Sequence, residues 1–460
     1  MRIRFLGGAQ TVTGTCIHLS INGAQLLIDC GMYHGEDGDE INRKPFQFDP
    51  KEIDYVFLTH AHIDHSGLIP RVVKEGFHGR IITTSATADL TEIMLYDSAH
   101  LQEKDAEWLN KRALRAGHKK RFEPLYTVDD VRLTIPFFER RYYGRIEELG
   151  RDIRYRFIDA GHILGSASLE IWYQDDGVEK RIVFSGDIGK KGNPIINDPQ
   201  VVEHADYVVI ESTYGNRMHK GMEDSVKELI EAIDTTFKQG GNVLIPAFAV
   251  GRTQDILYTL NRLVREGRLK PLDVYVDSPL AEEATKVYLA HPECFDEEAM
   301  MMFQEWGERA IRLHFTTSVE DSQRINRIDS GAVIIAGSGM CDGGRIRHHL
   351  KHNLWRHECS IVFIGYQAEG TLGRRIVDGA NKVHILGEEI AVNARVYTIG
   401  GFSAHADRNG LLEWLGAFKD MPEVFIIHGE EDVAKEFEKT VKETLGFITH
   451  IPRRGEVFEI

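Results

Sequence analysis

Short apolar runs that stop at a glycine, an asparagine or a charged residue recur along the whole chain. Runs of this kind predict β-strands. Residues 2–29 read as strands broken by turns at Gly7-Gly8 and Gly14, and Asn22-Gly23, between the runs 17–21 and 25–28, predicts a two-residue hairpin. Asp29 closes the second of these runs, where an aspartate taken alone reads as a turn cap. Residues 53–58 form a further apolar strand, 67–75 read as the start of a helix, and 85–115 carry Ala, Leu, Glu and Met at helical spacing.

One arrangement then repeats. Apolar strands at 155–161, 181–186, 207–210, 395–399 and 423–427 lead to His162, Asp187, Glu211, Ser403 with His405, and His428 respectively. A single histidine at a strand end is an ordinary structural residue. Five strands ending this way predict a common rim that collects polar side chains.

Between 215 and about 395 the texture changes to strand, loop and helix in series. The strands are 242–246, 273–277, 332–336 and 360–365, and the Ser278-Pro279 pair caps one of the helices that follow. Four such units predict a parallel sheet covered by helices, inserted into the first domain.

Composition sets the limits. With 460 residues the chain has room for two or three domains, and 42% hydrophobic with 27% charged residues is the balance of a globular protein. No apolar run approaches the roughly 18 residues of a membrane span. Residues 1–7 read as a strand with no secretory apolar region, so the expected location is the cytoplasm. Cys16, Cys30, Cys294, Cys341 and Cys359 form no Cys-x-x-Cys pair, which argues against a disulfide framework and a zinc knuckle. The net charge of −16 is the wrong sign for a general nucleic-acid coat. It leaves room for a nuclease whose cations and local basic residues receive the phosphates. One basic run, Lys111, Arg112, Arg115, His118, Lys119, Lys120 and Arg121, reads either as a solvated face or as a substrate contact.

The chemistry centres on His60-Ala61-His62-Ile63-Asp64-His65, directly after the 53–58 strand. Imidazole and carboxylate donors suit zinc, and the spacing is not that of a helical His-Glu-x-x-His protease. Counting ligands, His60, His62 and His162 would serve one metal and Asp64, His65 and His428 a second, with Asp187 expected to bridge them. Asp29 is expected to lie behind the cluster and hold a ligand in place. Two metals lower the pKa of water and clamp a phosphoryl oxygen.

These residues resemble the metallo-β-lactamase fold, whose hallmark is His-x-His-x-Asp-His; Asp29, the 60–65 cluster, His162 and Asp187 match its first four motifs in order. Glu211 in Glu-Ser-Thr-Tyr-Gly, His405 in Phe-Ser-Ala-His-Ala-Asp and His428 in His-Gly-Glu resemble the three motifs of the β-CASP nucleases, in the branch of the cleavage-and-polyadenylation endonuclease subunit and its bacterial and archaeal relatives. The resemblance implies an α/β protein: a metallo-β-lactamase αββα sandwich at 1–214 and 396–460, with the β-CASP domain at 215–395. It implies two zinc ions per chain and hydrolysis of single-stranded RNA, endonucleolytically, to 5′-phosphate and 3′-hydroxyl ends. His428 in the third motif favours RNA over DNA.

By the same resemblance, Asp64 manages the proton of the attacking water, His405 protonates the leaving oxygen and Glu211 orients His405. Ser403, Arg252, Tyr366 and Arg374 are expected to contact the RNA. A DNA-acting relative, a small-molecule metallo-hydrolase and a non-catalytic RNA-binding subunit are the alternatives, and a homodimer is left open. The chain starts at its first strand and ends soon after its last, so any sequence preference is expected to come from the cleft itself.

Overall fold

A computed structural model describes residues 1–35, 37–118, 121–304, 310–365, 367 and 370–460. The chain divides into two compact units: Met1–Lys191 with Asp198–Met218 and His405–Ile460, and Gly192–Asn197 with His219–Ala404.

The first unit is a sandwich of two seven-stranded sheets. One runs, edge to edge, Val457–Glu459, Arg2–Gly7, Cys16–Ile21, Ala24–Ile28, Tyr55–Phe57, Arg80–Thr84 and Phe138–Arg141. The other runs Ile448–His450, Glu423–Ile427, Tyr207–Glu211, Val178–Phe184, Ala167–Asp175, Ile153–Asp159 and Glu147–Gly150. The twofold period of the strands decides what each layer buries. Phe5, Ile17, Phe57, Phe157, Leu169, Phe184, Val209 and Phe425 meet between the sheets. Their neighbours Val208, Ile210, Val424 and Ile426 point the other way, against Leu411, Trp414, Phe437 and Val441 of the helices Arg408–Leu415 and Glu431–Leu445. On the outer face of the first sheet, Leu27, Val56 and Ile81 pack on Ile69 and Val72 of the helix Ile69–Lys74. The layers are therefore helix, sheet, sheet, helix, as expected.

The second unit holds a six-stranded sheet ordered Arg312–Phe315, Asp273–Val276, Ala332–Ala336, Val243–Pro246, Ser360–Phe363 and Arg395–Thr398. Every pairing in it is parallel. Val243, Ile245 and Val362 face one apolar cluster with helix residues Leu229, Ile256 and Leu260, while Leu244, Ile361 and Phe363 face another with Ile346, Leu350 and Ile376. Burial on both faces explains why these strands read as unbroken apolar runs.

Three local expectations can be checked. The Asn22-Gly23 hairpin is present, with φ of +49° and +75°, the left-handed pair its tight turn requires. The helix expected from Gly67 is two short helices, Ile63–Ser66 and Ile69–Lys74. Pro70 has no N–H to continue the first helix and instead sits in the opening turn of the second. The strand at 395–398, grouped by its ending with the rim strands, is the edge of the six-stranded sheet. Its pattern of apolar residues serves a partly buried edge in either sheet, so local sequence does not separate the two. Among the described residues, no helix is long and apolar enough to cross a membrane.

Candidate metal centre

Five strand ends of the sandwich unit deliver the polar residues. Ala24–Ile28 leads to Asp29, Tyr55–Phe57 to the 60–65 cluster, Val178–Phe184 to Asp187, Tyr207–Glu211 ends on Glu211 and Glu423–Ile427 leads to His428. Ile153–Asp159 adds His162 through a short loop, and His405 enters through a bridge pairing Gly189 with His405. Asp29 (φ +57°) and His428 (φ +47°) both take the left-handed conformation that non-glycine residues rarely adopt. Behind them the backbone is closely layered: Thr15 donates its N–H to the Asp64 carbonyl at 2.9 Å, and a Cβ on Gly31 would lie 1.6 Å from that same oxygen.

The donors fall into two groups joined by Asp187. His62 Nδ1 lies 3.1 Å from His60 Nε2 and 3.2 Å from His162 Nε2. Asp187 Oδ2 is 3.4 Å from His60 Nε2 and 3.6 Å from His162 Nε2. A tetrahedral zinc with ligand bonds of about 2.0–2.1 Å has edges of about 3.3–3.4 Å, so this group has the dimensions of a zinc ligand set. The second group is wider. Asp187 Oδ1 lies 3.4 Å from His65 Nε2 and 3.8 Å from His428 Nε2, and Asp64 Oδ2 lies 4.0 and 3.8 Å from the same nitrogens.

Two of these atoms, His65 Nε2 and Asp187 Oδ1, are buried without a hydrogen-bond partner among the described residues. Orphaned buried polar atoms are costly, and here they converge on one point. The residues present therefore fit a metal site. Burial holds the His65 and His162 imidazoles well below their ordinary pKa, reinforced by His60 and His405 respectively, which favours the neutral form that ligates. Burial alone would raise Asp187, but His428, His65 and His60 outweigh it and hold the carboxyl well below its usual range.

A further layer sets the orientation of the ligands. Asp29 Oδ2 lies 2.7 Å from His65 Nδ1 and accepts the Thr59 hydroxyl at 2.8 Å, while Asp29 Oδ1 accepts the Thr59 N–H at 2.8 Å. Thr59 Oγ1 in turn is 3.1 Å from His60 Nδ1. Thr15 Oγ1 lies 2.7 Å from His428 Nδ1. Each contact engages Nδ1 and leaves Nε2 of its ring turned toward the donor groups. Sequence reasoning missed Thr15 and Thr59. Thr59 has a local signal, since it immediately precedes His60. Thr15 has none, because its partner is 413 residues away.

Beside Asp187 stands His405, with Nδ1 3.2 Å from both Glu211 oxygens and 4.0 Å from Asp187 Oδ2. Glu211 is buried and fixed by the Ile188 N–H at 2.6 Å and the Thr213 N–H at 3.3 Å. The His405 ring lies 4.4 Å from the His162 ring, tilted by 50°, and keeps a fifth of its side chain exposed. The other expected contacts lie in the second unit. Arg252 is largely buried and paired with Asp255 at 2.6 Å, Arg374 holds Asp378 at 2.9 Å, and Ser403 is buried after the short helix Gly400–Phe402. Tyr366 lies outside the described residues.

Known families match along the chain: the metallo-beta-lactamase superfamily over residues 12–247, the Beta-Casp domain over 253–376, and the Zn-dependent metallo-hydrolase RNA specificity domain over 389–452. The chain is 38% identical over 435 residues to ribonuclease TTHA0252 of Thermus thermophilus, covering 94% of both chains. It is 32% identical over 463 residues to transcription termination factor FttA of Methanosarcina mazei, covering 97% of this chain and 69% of that one. It is 30% identical over 471 residues to an RNase J-like protein of Methanocaldococcus jannaschii, covering 100% and 99%. A solved structure of a protein of unknown function from Enterococcus faecalis shares the fold, with a TM-score of 0.59 at 13% identity over 99% of each chain.

Fold and donor set together define a metal-dependent hydrolase of the metallo-β-lactamase class. The RNA specificity domain spans both His405 and His428. The chain belongs to the β-CASP family of RNA nucleases.

Proposed function

We propose that the protein is a zinc-dependent endoribonuclease that cuts single-stranded RNA and leaves 5′-phosphate and 3′-hydroxyl ends. The observation that carries this reading is Asp187. Its two oxygens face two separate donor groups, and a histidine–carboxylate pair stands beside it. His60, His62 and His162 with Asp187 would hold one zinc; Asp64, His65 and His428 with Asp187 would hold the other. Bound there, the ions would supply Lewis acidity toward a phosphodiester and lower the pKa of water.

The chain's own residues do the rest. Asp29 and Thr15 accept from Nδ1 of His65 and His428, so both rings present Nε2 lone pairs. Asp64, a quarter exposed, takes the proton of the attacking water. Glu211 engages Nδ1 of His405, so the proton delivered to the leaving 3′ oxygen travels on Nε2. The buried carboxylate stabilises the imidazolium before transfer and holds the ring in one orientation. Ser403, Arg252, Tyr366 and Arg374 are the proposed RNA contacts of a 215–395 domain inserted between 1–214 and 396–460, in a cytoplasmic enzyme able to form a homodimer.

The test runs end-labelled single-stranded RNA, DNA of the same sequence and a thioester side by side, with His62→Ala as control and zinc counted by mass spectrometry. Cleavage of RNA with two zincs per chain is expected. Thioester hydrolysis without RNA cleavage overturns the reading, and preferential DNA cleavage moves the substrate.

A further inference from the structure

The sandwich unit carries an exposed aromatic and cationic face well away from the metal ligands, on the helix Ser85–Arg115. One side of that helix is committed to the fold. Ala99, Ala106 and Ala113, at seven-residue spacing, are buried. The returning chain is pinned beside them. Asn110 makes a reciprocal pair with Phe122 at 2.8 and 2.9 Å, Gln102 accepts the Leu125 N–H at 3.0 Å, and Glu103 accepts the Val128 N–H at 3.1 Å.

The opposite side is open. Trp108 is 58% exposed there. At 3.6 residues per turn, Lys104, Lys111, Arg112 and Arg115 all fall within about 60° of arc of Trp108. The Arg112 guanidinium lies over the Trp108 ring at 5.4 Å. Of the four cations only Lys111 has a carboxylate partner among the described residues, Glu107 at 3.5 Å. Asp105 is exposed on the same arc, so four cations stand against one carboxylate there, a local reversal of sign in a chain of net charge −16.

We propose that this face is an auxiliary binding surface for single-stranded RNA, resting on the reading of the protein as an RNA nuclease. Exposed indole and guanidinium planes stack bases without regard to sequence, and clustered cations receive the phosphates. The geometry sets the reach. Thr84 and Thr87, at the start of the helix, both donate to the Gly165 carbonyl at 2.7 Å, in the loop that carries His162. Trp108 lies about 32 Å further along the axis at 1.5 Å per residue. That span corresponds to about five to ten nucleotides of single strand. The surface therefore acts on long strands and is out of reach of short ones.

The experiment compares the zinc-loaded protein with Trp108→Ala, Trp108→Phe and the Arg112→Gln/Arg115→Gln double variant. Substrates are a 20-nucleotide oligouridylate, a 4-nucleotide oligouridylate and bis(p-nitrophenyl) phosphate. Binding of the 20-mer is also read by anisotropy in a His405→Ala background, where the strand is not consumed. Trp108→Ala is expected to raise KM for the 20-mer about 5- to 150-fold, the range of one lost base stack, with kcat unchanged and both short substrates unaffected. Trp108→Phe should keep most of the affinity. The arginine variant should flatten the salt dependence of 20-mer binding by about 0.7 in log–log slope per lost contact. An unchanged KM for the 20-mer overturns the proposal, as does an equal loss on the 4-mer. So does loss of binding to polyglutamate with RNA binding intact, which marks a surface for an acidic protein. If the parent binds the 20-mer through Trp108 yet cuts no RNA, the nuclease reading falls and the surface stands.

Discussion

Replacing Asp29 by asparagine changes one atom pair and tests how the metal centre is held together. Asp29 is buried at 1% exposure and has three donors around it at 2.7–2.8 Å: the Thr59 N–H, the Thr59 hydroxyl and His65 Nδ1. An asparagine keeps Oδ1 for the Thr59 N–H and tolerates the φ of +57°. Its NH₂ replaces the oxygen that faces His65. Nδ1 of His65 must then become the acceptor, which moves the proton to Nε2, 3.4 Å from the orphaned Asp187 Oδ1.

The metal-free state gains an N–H directed at a carboxylate, and the ligating lone pair is lost. A charged hydrogen bond contributes about 1.5–3 kcal/mol. Removing such an outer partner of a ligating histidine lowers metal affinity about 10–100-fold, or about 1.4–2.7 kcal/mol. The loss should fall first on the Asp64, His65 and His428 group, and more weakly on His60, because the Thr59 hydroxyl beside His60 Nδ1 loses the same Asp29 oxygen as its acceptor. Competition against a chromophoric chelator should therefore resolve one zinc weakened about 10–100-fold and a second weakened less. Thermal unfolding followed by circular dichroism should show that the fold persists. Two zincs held as tightly as in the parent would refute the tautomer argument.

Four further outcomes are expected. His405→Ala should keep both zincs and lose about 10²–10⁴-fold in kcat, the range for a general acid; parental cleavage rates would remove His405 from the chemistry. Thr15→Val, close in size but without the hydroxyl, should weaken one zinc by about tenfold or more, detectable in the same chelator titration. Zinc removal by a chelator should abolish cleavage and zinc return should restore it, whereas activity persisting in protein shown to be metal-free contradicts the metal centre. The last concerns Asp277, buried in the second unit with Thr316 at 2.5 Å, Ser322 at 2.6 Å, and Arg345 and His349 each at 2.7 Å. Burial alone would raise its carboxyl, but the His349, Ser322, Thr316 and Arg345 contacts outweigh it and hold the pKa well below the usual range. Its contribution is therefore present above the unfolded carboxylate value of about 3.9 and lost as pH falls toward the folded value. Asp277→Asn should cost about 3 kcal/mol at pH 7 in urea unfolding, and the gap to the parent should close below about pH 4. A gap independent of pH argues against an ionised Asp277.

Much of the candidate site was legible because strand-end loops carry it. A strand of period two followed at once by His, Asp or Glu can be read locally, as at Asp187, Glu211 and His428. A supporting role was expected of Asp29, but its partner His65 and the threonine contacts were not legible. Thr15 reaches His428 and Asp29 reaches His65 across turns whose left-handed φ values are set by the assembled sheets, with no counterpart in spacing. The strand at 395–398 shows the same limit for the fold, since edge strands of either sheet share one pattern. Helix ends near Pro70 depended on a single missing N–H, which the apolar periodicity does not report.

By itself, the sequence determined the layered classes of structure, the donor types and the family, because burial periodicity and local motifs are properties of neighbouring residues. Asp187 between the donor groups and Glu211 beside His405 were expected; only the tertiary structure decided the distances at which they meet, that Thr15 reaches His428, and that Trp108 stands on the open side of its helix. Those outcomes depend on which side chains meet in space, and close packing settles that between residues hundreds of positions apart.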